Sequence, residues 1–204
     1  MQLDTLTVYI VEDDAAVRDS LAIMLGLAGY RTVLFADAEA FLAGLQANWA
    51  GCVIADLKLP GATGLELQAE VRRRGSRMPF IIITAHGDVP AARAAFRADA
   101  VDFLEKPFDH ALLRTAIETA FSQEERRLRR SVEAQRLGRL TGREREVLEH
   151  AARGLHAKEI ARALGISTRT VEVHKTRLMA KLGARNVAEL VRFALSDGSP
   201  SDTP

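Results

Sequence analysis

The sequence predicts an α/β domain built on a parallel five-stranded sheet, followed by a small all-α domain. Over residues 1–121, five short apolar or β-branched runs alternate with five amphipathic segments. Strands that alternate with helices form parallel sheets with helices on both faces. The flavodoxin-like strand order 2-1-3-4-5 fits such a (βα)5 domain. From residue 141 onward, cap and turn signals bracket only helical segments.

The charge distribution separates the same two regions. The 204-residue chain has a formal net charge of +1, yet residues 1–121 carry 11 Lys and Arg against 16 Asp and Glu, whereas residues 141–195 carry 11 against 6. A basic region of this kind favours a polyanionic partner such as double-stranded DNA. The single cysteine excludes a disulfide framework, and no apolar run approaches membrane-spanning length. We therefore expect a cytoplasmic protein with no membrane partner.

Polar residues follow the predicted strands at one edge of the sheet. The strands are predicted at 6–11, 31–35, 52–56, 79–85 and 100–104, and the helices at 15–28, 38–46, 63–74, 88–98 and 109–121. In the predicted order, the carboxyl ends of the first and third strands meet at the point where such sheets bind ligands. Glu12, Asp13 and Asp56 are therefore expected in one crevice, with Thr84 and Lys106 ending the neighbouring strands.

This set of residues suggests phosphoryl chemistry. Clustered carboxylates without an opposing base repel one another, so the three acids favour a divalent cation, and Mg²⁺ suits a shallow site of carboxylates and water. With the cation bound, Asp56 is a candidate nucleophile toward phosphorus. Lys106 would offset charge on the phosphoryl oxygens, and Thr84 would offer its hydroxyl. Each residue taken alone has a plainer interpretation: Asp56 as a turn residue, Lys106 as a surface lysine and Thr84 as an ordinary strand residue.

Together these residues resemble the receiver domain of two-component response regulators. The resemblance covers residues 1–121 and rests on segments 11–14, 56–61, 84–87 and 106–108. It implies phosphoryl transfer to Asp56 from a sensor histidine kinase. It also implies that the backbone carbonyl of Lys58 is a metal ligand, that the peptide before Pro107 is cis, and that Thr84 and Phe103 act as a conformational switch.

Two positions depart from the receiver pattern. Glu12 replaces the commoner aspartate, which a water-mediated ligand tolerates, and Asp99 stands where a glycine is usual. The resemblance places the dimer surface on the helix at 89–98 and the fifth strand, where Arg93, Arg97 and Asp102 offer complementary charges.

Residues 122–139 are predicted to be a linker. They are rich in helix formers and contain only Leu128, Val132 and Leu137 as apolar residues. We expect a solvated helical extension of the preceding helix. A short dimerising helix is the alternative, although the apolar repeat is too brief for a coiled coil alone.

A helix-turn-helix pattern is predicted in the basic region. Thr141 and Glu144 form a capping box at the start of a helix that continues to Arg153, and further helices are predicted at 156–164, 167–182 and 187–195. Two helices joined by a short Gly-containing turn place the second helix in the major groove. On that helix an apolar stripe is predicted to pack inward, and it consists of Val171, Leu178 and Leu182.

The opposite side of the same helix carries Arg169, Glu172, Val173, Thr176 and Arg177, and it is flanked by Lys158, Lys175 and Lys181, which would neutralise phosphates. The candidate DNA contacts on this helix are Arg169, Thr170, Glu172, Val173, Lys175, Thr176, Arg177 and Lys181. The plainer interpretation is a charged helix face that meets only water. Segments 140–148, 158–161 and 167–174 carry a resemblance of residues 141–195 to the LuxR/NarL-type output domain. With segments 87–90, 101–103 and 105–108 of the receiver, the chain resembles FixJ-type regulators. That resemblance implies base reading by Glu172, Val173 and Thr176, homodimers on paired half-sites, and RNA polymerase as a further partner.

The sequence thus predicts four segments: a receiver at 1–121, a linker at 122–139, a DNA-binding domain at 140–196 and a disordered tail at 197–204. We expect a non-enzymatic response regulator whose phosphorylation promotes dimerisation and DNA binding. One alternative is a phosphorylation-independent DNA-binding protein whose receiver is a docking module. Another is a metal-dependent phosphatase, which is disfavoured because Lys58 occupies the position where a second acid is needed.

Overall fold

The computed structural model describes residues 6–85, 89–186, 189–191 and 193–194. The chain divides into two compact units, Met1–Arg126 and Arg127–Pro204. Among the helices within the described ranges, none is both long and apolar enough to cross a membrane.

The elements of the first unit alternate between strand and helix, as predicted. In chain order they are β1 (Thr7–Val11), α1 (Ala15–Leu27), β2 (Arg31–Phe35), α2 (Ala38–Gly44), β3 (Gly51–Asp56), α3 (Gly64–Arg73), β4 (Phe80–Thr84), α4 (Val89–Arg97), β5 (Asp102–Glu105) and α5 (His110–Gly138). The five strands form one parallel sheet in the order β2-β1-β3-β4-β5. The predicted fold class and strand order are confirmed.

The three central strands are completely buried, which explains their nearly continuous apolar sequences. One face of the sheet packs against helices through a core that includes Tyr9, Phe41, Leu67 and Ile82. The indole of Trp49 stacks on Tyr9 with ring centroids 4.4 Å apart. This packing fixes the carboxyl ends of β1, β3 and β4, where the candidate site lies.

Most predicted boundaries agree with the structure to within two residues. Strand β5 begins at Asp102 rather than at residue 100, because Asp99 takes a left-handed conformation with φ of 56° and its turn delays the strand. Aspartate tolerates this conformation better than most residues, so the turn persists without the usual glycine. The Asp99 carboxylate also accepts a hydrogen bond from Arg72 at 3.3 Å. Asp88, the first residue of the helix predicted at 88–98, lies outside the described residues.

Helix α5 continues well beyond Phe121, to Gly138, so the predicted helical extension is confirmed. The boundary between the two units falls within this helix.

The second unit contains the predicted helix-turn-helix. Its helices are α6 (Gly142–Ala152), α7 (Ala157–Leu164) and α8 (Thr168–Leu182). Thr141 and Glu144 form the predicted capping box on α6, and Ser167 caps α8. Between α7 and α8, Gly165 takes a left-handed conformation with φ of 65°, which glycine adopts without steric cost. Of the predicted helix at 187–195, residues 189–191 and 193–194 are helical, and the others lie outside the described residues.

Candidate functional site

Asp56 ends β3, and its carboxylate lies at the carboxyl edge of the sheet. The residue is only 7% exposed. One carboxylate oxygen, Oδ1, accepts a hydrogen bond from the backbone N–H of Lys58 at 2.8 Å. The loop behind it is fixed by a bridge between Lys58 and Thr63 and by the Thr63–Glu66 capping box on α3. The Asp56 carboxylate is therefore held in one orientation.

Lys106 connects the two most buried acids of the site. Its ammonium lies 2.6 Å from Glu12 Oε2 and 2.6 Å from Asp56 Oδ2. The β1–β3, β3–β4 and β4–β5 pairings bring these three residues together from positions far apart in the chain. The premise that the carboxylates have no opposing base is therefore wrong, because Lys106 already neutralises part of their charge.

Burial and ion pairing have opposite effects on these groups. Burial raises the pKa of Glu12, although hydrogen bonding to Lys106 opposes that effect. Burial alone would lower the pKa of Lys106, but the hydrogen bonds from its ammonium to Asp56 and Glu12 outweigh burial and raise it. Lys106 therefore remains charged at neutral pH, as a group that must balance an incoming anion requires.

Glu12, Asp13 and Asp56 form a candidate cation site. Each offers a carboxylate oxygen, and the three oxygens lie within 4.8 Å of one another. Asp13 is exposed whereas Glu12 and Asp56 are buried, so a cation here would have protein oxygens on one side and water on the other. This all-oxygen, partly hydrated environment fits a hard divalent ion. The Lys58 carbonyl stays a predicted further ligand.

Thr84 and Lys106 end adjacent strands at the same edge of the sheet. Thr84 is buried, and its carbonyl accepts a hydrogen bond from the backbone N–H of Lys106 at 2.7 Å. The β3–β4 register pairs Asp56 with Ile83, which places Thr84 one residue further along the same edge. Phe103 is partly buried against the core of the first unit. The cis peptide between Lys106 and Pro107, which the resemblance implied, is present.

Two residues support this site but were not identified from the sequence. The Arg18 guanidinium donates hydrogen bonds to the backbone carbonyls of Glu12 and Asp13, at 2.7 and 3.3 Å, and so fixes the acidic turn. Gly64 packs on the backbone of Asp56, where a Cβ atom would lie 2.4 Å from the carbonyl oxygen. Arg18 could have been identified from the sequence, because it lies in the first turn of the helix that follows Glu12 and Asp13. The Gly64 contact could not, because it depends on the tertiary fold.

Helix α8 has one buried and one exposed side, as predicted. Val171, Leu178 and Leu182 are buried in the core of the second unit. Most of the predicted DNA contacts are exposed, and these are Arg169, Thr170, Glu172, Val173, Thr176 and Arg177. Lys175 is partly exposed and lies 3.5 Å from Glu172. The geometry therefore leaves a mixed polar, basic and apolar surface on the second helix of the motif.

Lys181 differs from the other predicted DNA contacts. Its ammonium lies 2.6 Å from Oε2 of Glu144, which is 3% exposed. Burial alone would raise the pKa of Glu144, but hydrogen bonds from Lys181 and Thr141 lower it to about 2. Lys181 therefore has a structural partner in addition to any role at a phosphate.

Family models match both units. Residues 8–118 match the response regulator receiver domain, and residues 139–194 match the bacterial regulatory proteins of the luxR family.

Relatives and solved structures match nearly the whole chain. The transcriptional regulatory protein FixJ of Bradyrhizobium diazoefficiens is 43% identical over 96% of this chain and 97% of its own length. The transcriptional regulatory protein TdiR of Thauera aromatica is 34% identical, with 95% and 87% covered. The solved structure of the response regulator StyR superimposes with a TM-score of 0.75 at 39% identity, covering 94% of this chain and 98% of that one.

Proposed function

The chain belongs to the FixJ-like response regulators of two-component systems, which join a receiver to a LuxR-type DNA-binding domain, and on that premise we propose that Asp56 is its phosphoacceptor. The observation that carries this proposal is the arrangement of the Asp56 carboxylate between the Lys106 ammonium and the acidic residues Glu12 and Asp13. Phosphorylation-dependent regulation is the norm in this family.

In the proposed reaction, an oxygen of Asp56 attacks the phosphorus of a phosphohistidine on a sensor kinase. An O–P bond to Asp56 forms as the N–P bond to imidazole breaks, and the bonding electrons stay on that nitrogen. Because the other ring nitrogen carries a proton, the imidazole leaves as neutral histidine, and the second product is an acyl phosphate. Before transfer, the Lys106 ammonium pairs with Asp56 and Glu12. After transfer, it would pair with a phosphoryl oxygen. The Thr84 hydroxyl would donate to another phosphoryl oxygen, and Phe103 would follow Thr84 inward.

We propose Mg²⁺ as the cation at this site, held by Glu12, Asp13, Asp56 and the Lys58 carbonyl. When bound, it would supply positive charge opposite the equatorial phosphoryl oxygens. The protein's own contribution is to hold the carboxylates within reach of one ion. Arg18 and Gly64 serve that role by fixing the backbone of the acidic turn and of Asp56.

We propose that phosphorylation promotes a homodimer through the surface of α4 and β5. Phe96 on α4 is 53% exposed, and the exposed residues Arg93 and Arg97 flank it. Asp102 at the start of β5 offers a carboxylate of opposite charge. An apolar centre with charges of both signs at its rim suits a reversible interface.

The dimer would present two copies of α8 to paired half-sites on DNA. In this proposal Glu172, Val173 and Thr176 read bases, while Arg169, Thr170, Lys175, Arg177 and Lys181 contact the phosphate backbone. RNA polymerase is a proposed further partner, and the cytoplasm is the proposed location because the DNA target lies there. We propose no enzymatic turnover of a separate substrate.

Phosphoryl transfer is tested with a small phosphodonor. Incubation of the chain with acetyl phosphate and Mg²⁺ should add one phosphoryl group by intact mass, and hydroxylamine should remove it because acyl phosphates react with amines. Asp56→Asn should remain unmodified, whereas Asp109→Asn, at an exposed aspartate elsewhere in the receiver, should be modified like the wild type. Equal modification of the wild type and Asp56→Asn would contradict the assignment.

A further inference from the structure

The last turn of α5 is part of the core of the second unit. Leu137 is 5% exposed and packs with Val147, Leu178 and Leu182. The guanidinium of Arg145 on α6 donates a hydrogen bond to the carbonyl of Leu137 at 3.3 Å. Leu137 nevertheless precedes the segment that the luxR family model matches, which begins at residue 139. The end of the predicted linker therefore contributes directly to the DNA-binding unit.

Arg136, in the same turn of α5, caps the carboxyl end of α8. Its Nη1 donates a hydrogen bond at 3.0 Å to the carbonyl of Leu182, the last residue of that helix. The last carbonyls of a helix have no partner within the helix, and a cation there interacts favourably with the helix dipole. Gly183 follows α8 in a left-handed conformation with φ of 68°, which ends the helix next to the Arg136 guanidinium.

A second ionic contact fixes the same end of the helix. Lys181 pairs with the buried carboxylate of Glu144, which is itself held by the capping box with Thr141. The amino end of α8, in contrast, is capped by its own neighbour Ser167. The buried side chain of Val171 and packing against α7 fix the amino half of α8, whereas α6 and the last turn of α5 add polar contacts at its carboxyl end.

We propose that Arg136 is a positioning residue for DNA recognition, and that the end of α5 thereby takes part in sequence discrimination without contacting bases. The proposal rests on the function proposed above for α8. Base-specific hydrogen bonds require accurate placement of a few side chains, whereas attraction to phosphates tolerates small rotations. Loss of the Arg136 cap should therefore reduce binding to a preferred sequence more than binding to an unrelated one.

The test compares Arg136→Ala, Arg136→Lys and the control Arg139→Ala in the full chain. Arg139 is an exposed arginine three residues later, so its replacement removes the same charge from the same region. Each protein is treated with acetyl phosphate and Mg²⁺. It is then titrated by fluorescence anisotropy against a duplex selected by the wild type from a random-sequence pool, and against a scrambled duplex of equal length. Titrations at several salt concentrations and thermal unfolding accompany them.

We expect Arg136→Ala to weaken binding to the selected duplex about tenfold, since a hydrogen bond to a charged donor is lost, and to leave binding to the scrambled duplex nearly unchanged. Arg136→Lys should recover part of the loss because it retains a cationic donor. The salt dependence should remain that of the wild type, and Arg139→Ala should discriminate like the wild type.

Three results would overturn the proposal. Equal weakening on both duplexes, with a salt slope reduced by about one, would identify Arg136 as a phosphate contact. Weakening that follows a lower unfolding temperature, with no change in discrimination, would make its role purely structural. Unchanged binding would remove any role. A wild type that does not discriminate between the duplexes would contradict the function proposed for α8 itself, which separates the two failures.

Discussion

The ammonium of Lys106 lies 2.6 Å from a carboxylate oxygen of Asp56, although the two residues are fifty positions apart in the chain. The same nitrogen contacts Glu12. Lys106 therefore acts as the countercharge of the acidic site. A divalent cation would compete with its ammonium for the carboxylates, and a phosphoryl group would compete with the carboxylates for the ammonium.

Replacement of Lys106 by methionine should make the receiver more dependent on Mg²⁺. Without the ammonium, two buried carboxylates face each other unpaired, which should cost about 1–3 kcal/mol of unfolding free energy in the absence of a divalent ion. Because Mg²⁺ would no longer compete with the ammonium, the rise in unfolding temperature on adding it should exceed that of the wild type. Calorimetry measures both, with Arg77→Met, at an exposed arginine before the amino end of β4, as the control. A smaller Mg²⁺ response in Lys106→Met would contradict this account.

Substitution of Phe96 by serine should prevent dimerisation of the phosphorylated protein. The side chain is 53% exposed on α4, and it would be the apolar centre of the proposed interface. Ile23→Ser is a matched control, because Ile23 on α1 is 66% exposed and lies away from that surface. Light scattering after treatment with beryllofluoride and Mg²⁺ distinguishes the variants. Dimerisation retained by Phe96→Ser but lost by Ile23→Ser would place the interface elsewhere.

The Glu144–Lys181 pair should make the second unit sensitive to acid. The pKa of Glu144 is lowered from 4.5 to about 2. The pair therefore contributes stability that is fully present above about pH 4.5 and is lost as the pH falls toward 2. Glu144→Gln should reduce this part of the pH dependence of the unfolding free energy. Chemical unfolding measures it, with the helical circular dichroism signal as the readout. Glu159→Gln tests the capping effect alone, because Glu159 has the same capping position on α7. Equal pH profiles for the two variants would show that the ion pair contributes nothing.

Base-reading and phosphate-binding residues on α8 should respond differently to mutation. Arg177→Ala should weaken binding to all duplexes and reduce the salt slope by about one, since one phosphate contact is lost. Val173→Ala should leave the salt slope unchanged and alter the sequence preference. Arg130→Ala, which removes an exposed charge from α5, serves as the control. A lower salt slope in Val173→Ala, or a changed sequence preference in Arg177→Ala, would reverse the two assignments.

The main features of the fold were predictable because they depend on local signals. Apolar runs, caps and glycine turns located the strands and helices, and the topology of alternating elements brought Glu12 and Asp56 to one edge of the sheet. The contacts of Lys106 with both acids were not predicted, because strand order places residues at an edge without giving the direction of a long side chain. The Lys181–Glu144 pair was not predicted either, because helix periodicity gives the side of a helix on which a residue lies without giving the direction of a long side chain.

The role of Arg136 could not be predicted from the sequence either. It lies in a stretch of mixed charges where exposed arginines are usual, and only the packing of Leu137 into the second core turns its side chain toward the end of α8. Asp99 illustrates a different limit. The sequence showed that glycine was missing, but not that aspartate would retain the left-handed turn.

We propose that phosphorylation of Asp56 controls DNA binding. The most direct measurement is the affinity of wild-type and Asp56→Asn proteins for a duplex selected by the wild type, with and without acetyl phosphate and Mg²⁺. We predict that the phosphodonor tightens binding by the wild type at least tenfold and leaves Asp56→Asn unchanged. An equal response in both proteins, or no response in a wild type that intact mass shows to be phosphorylated, would contradict the claim.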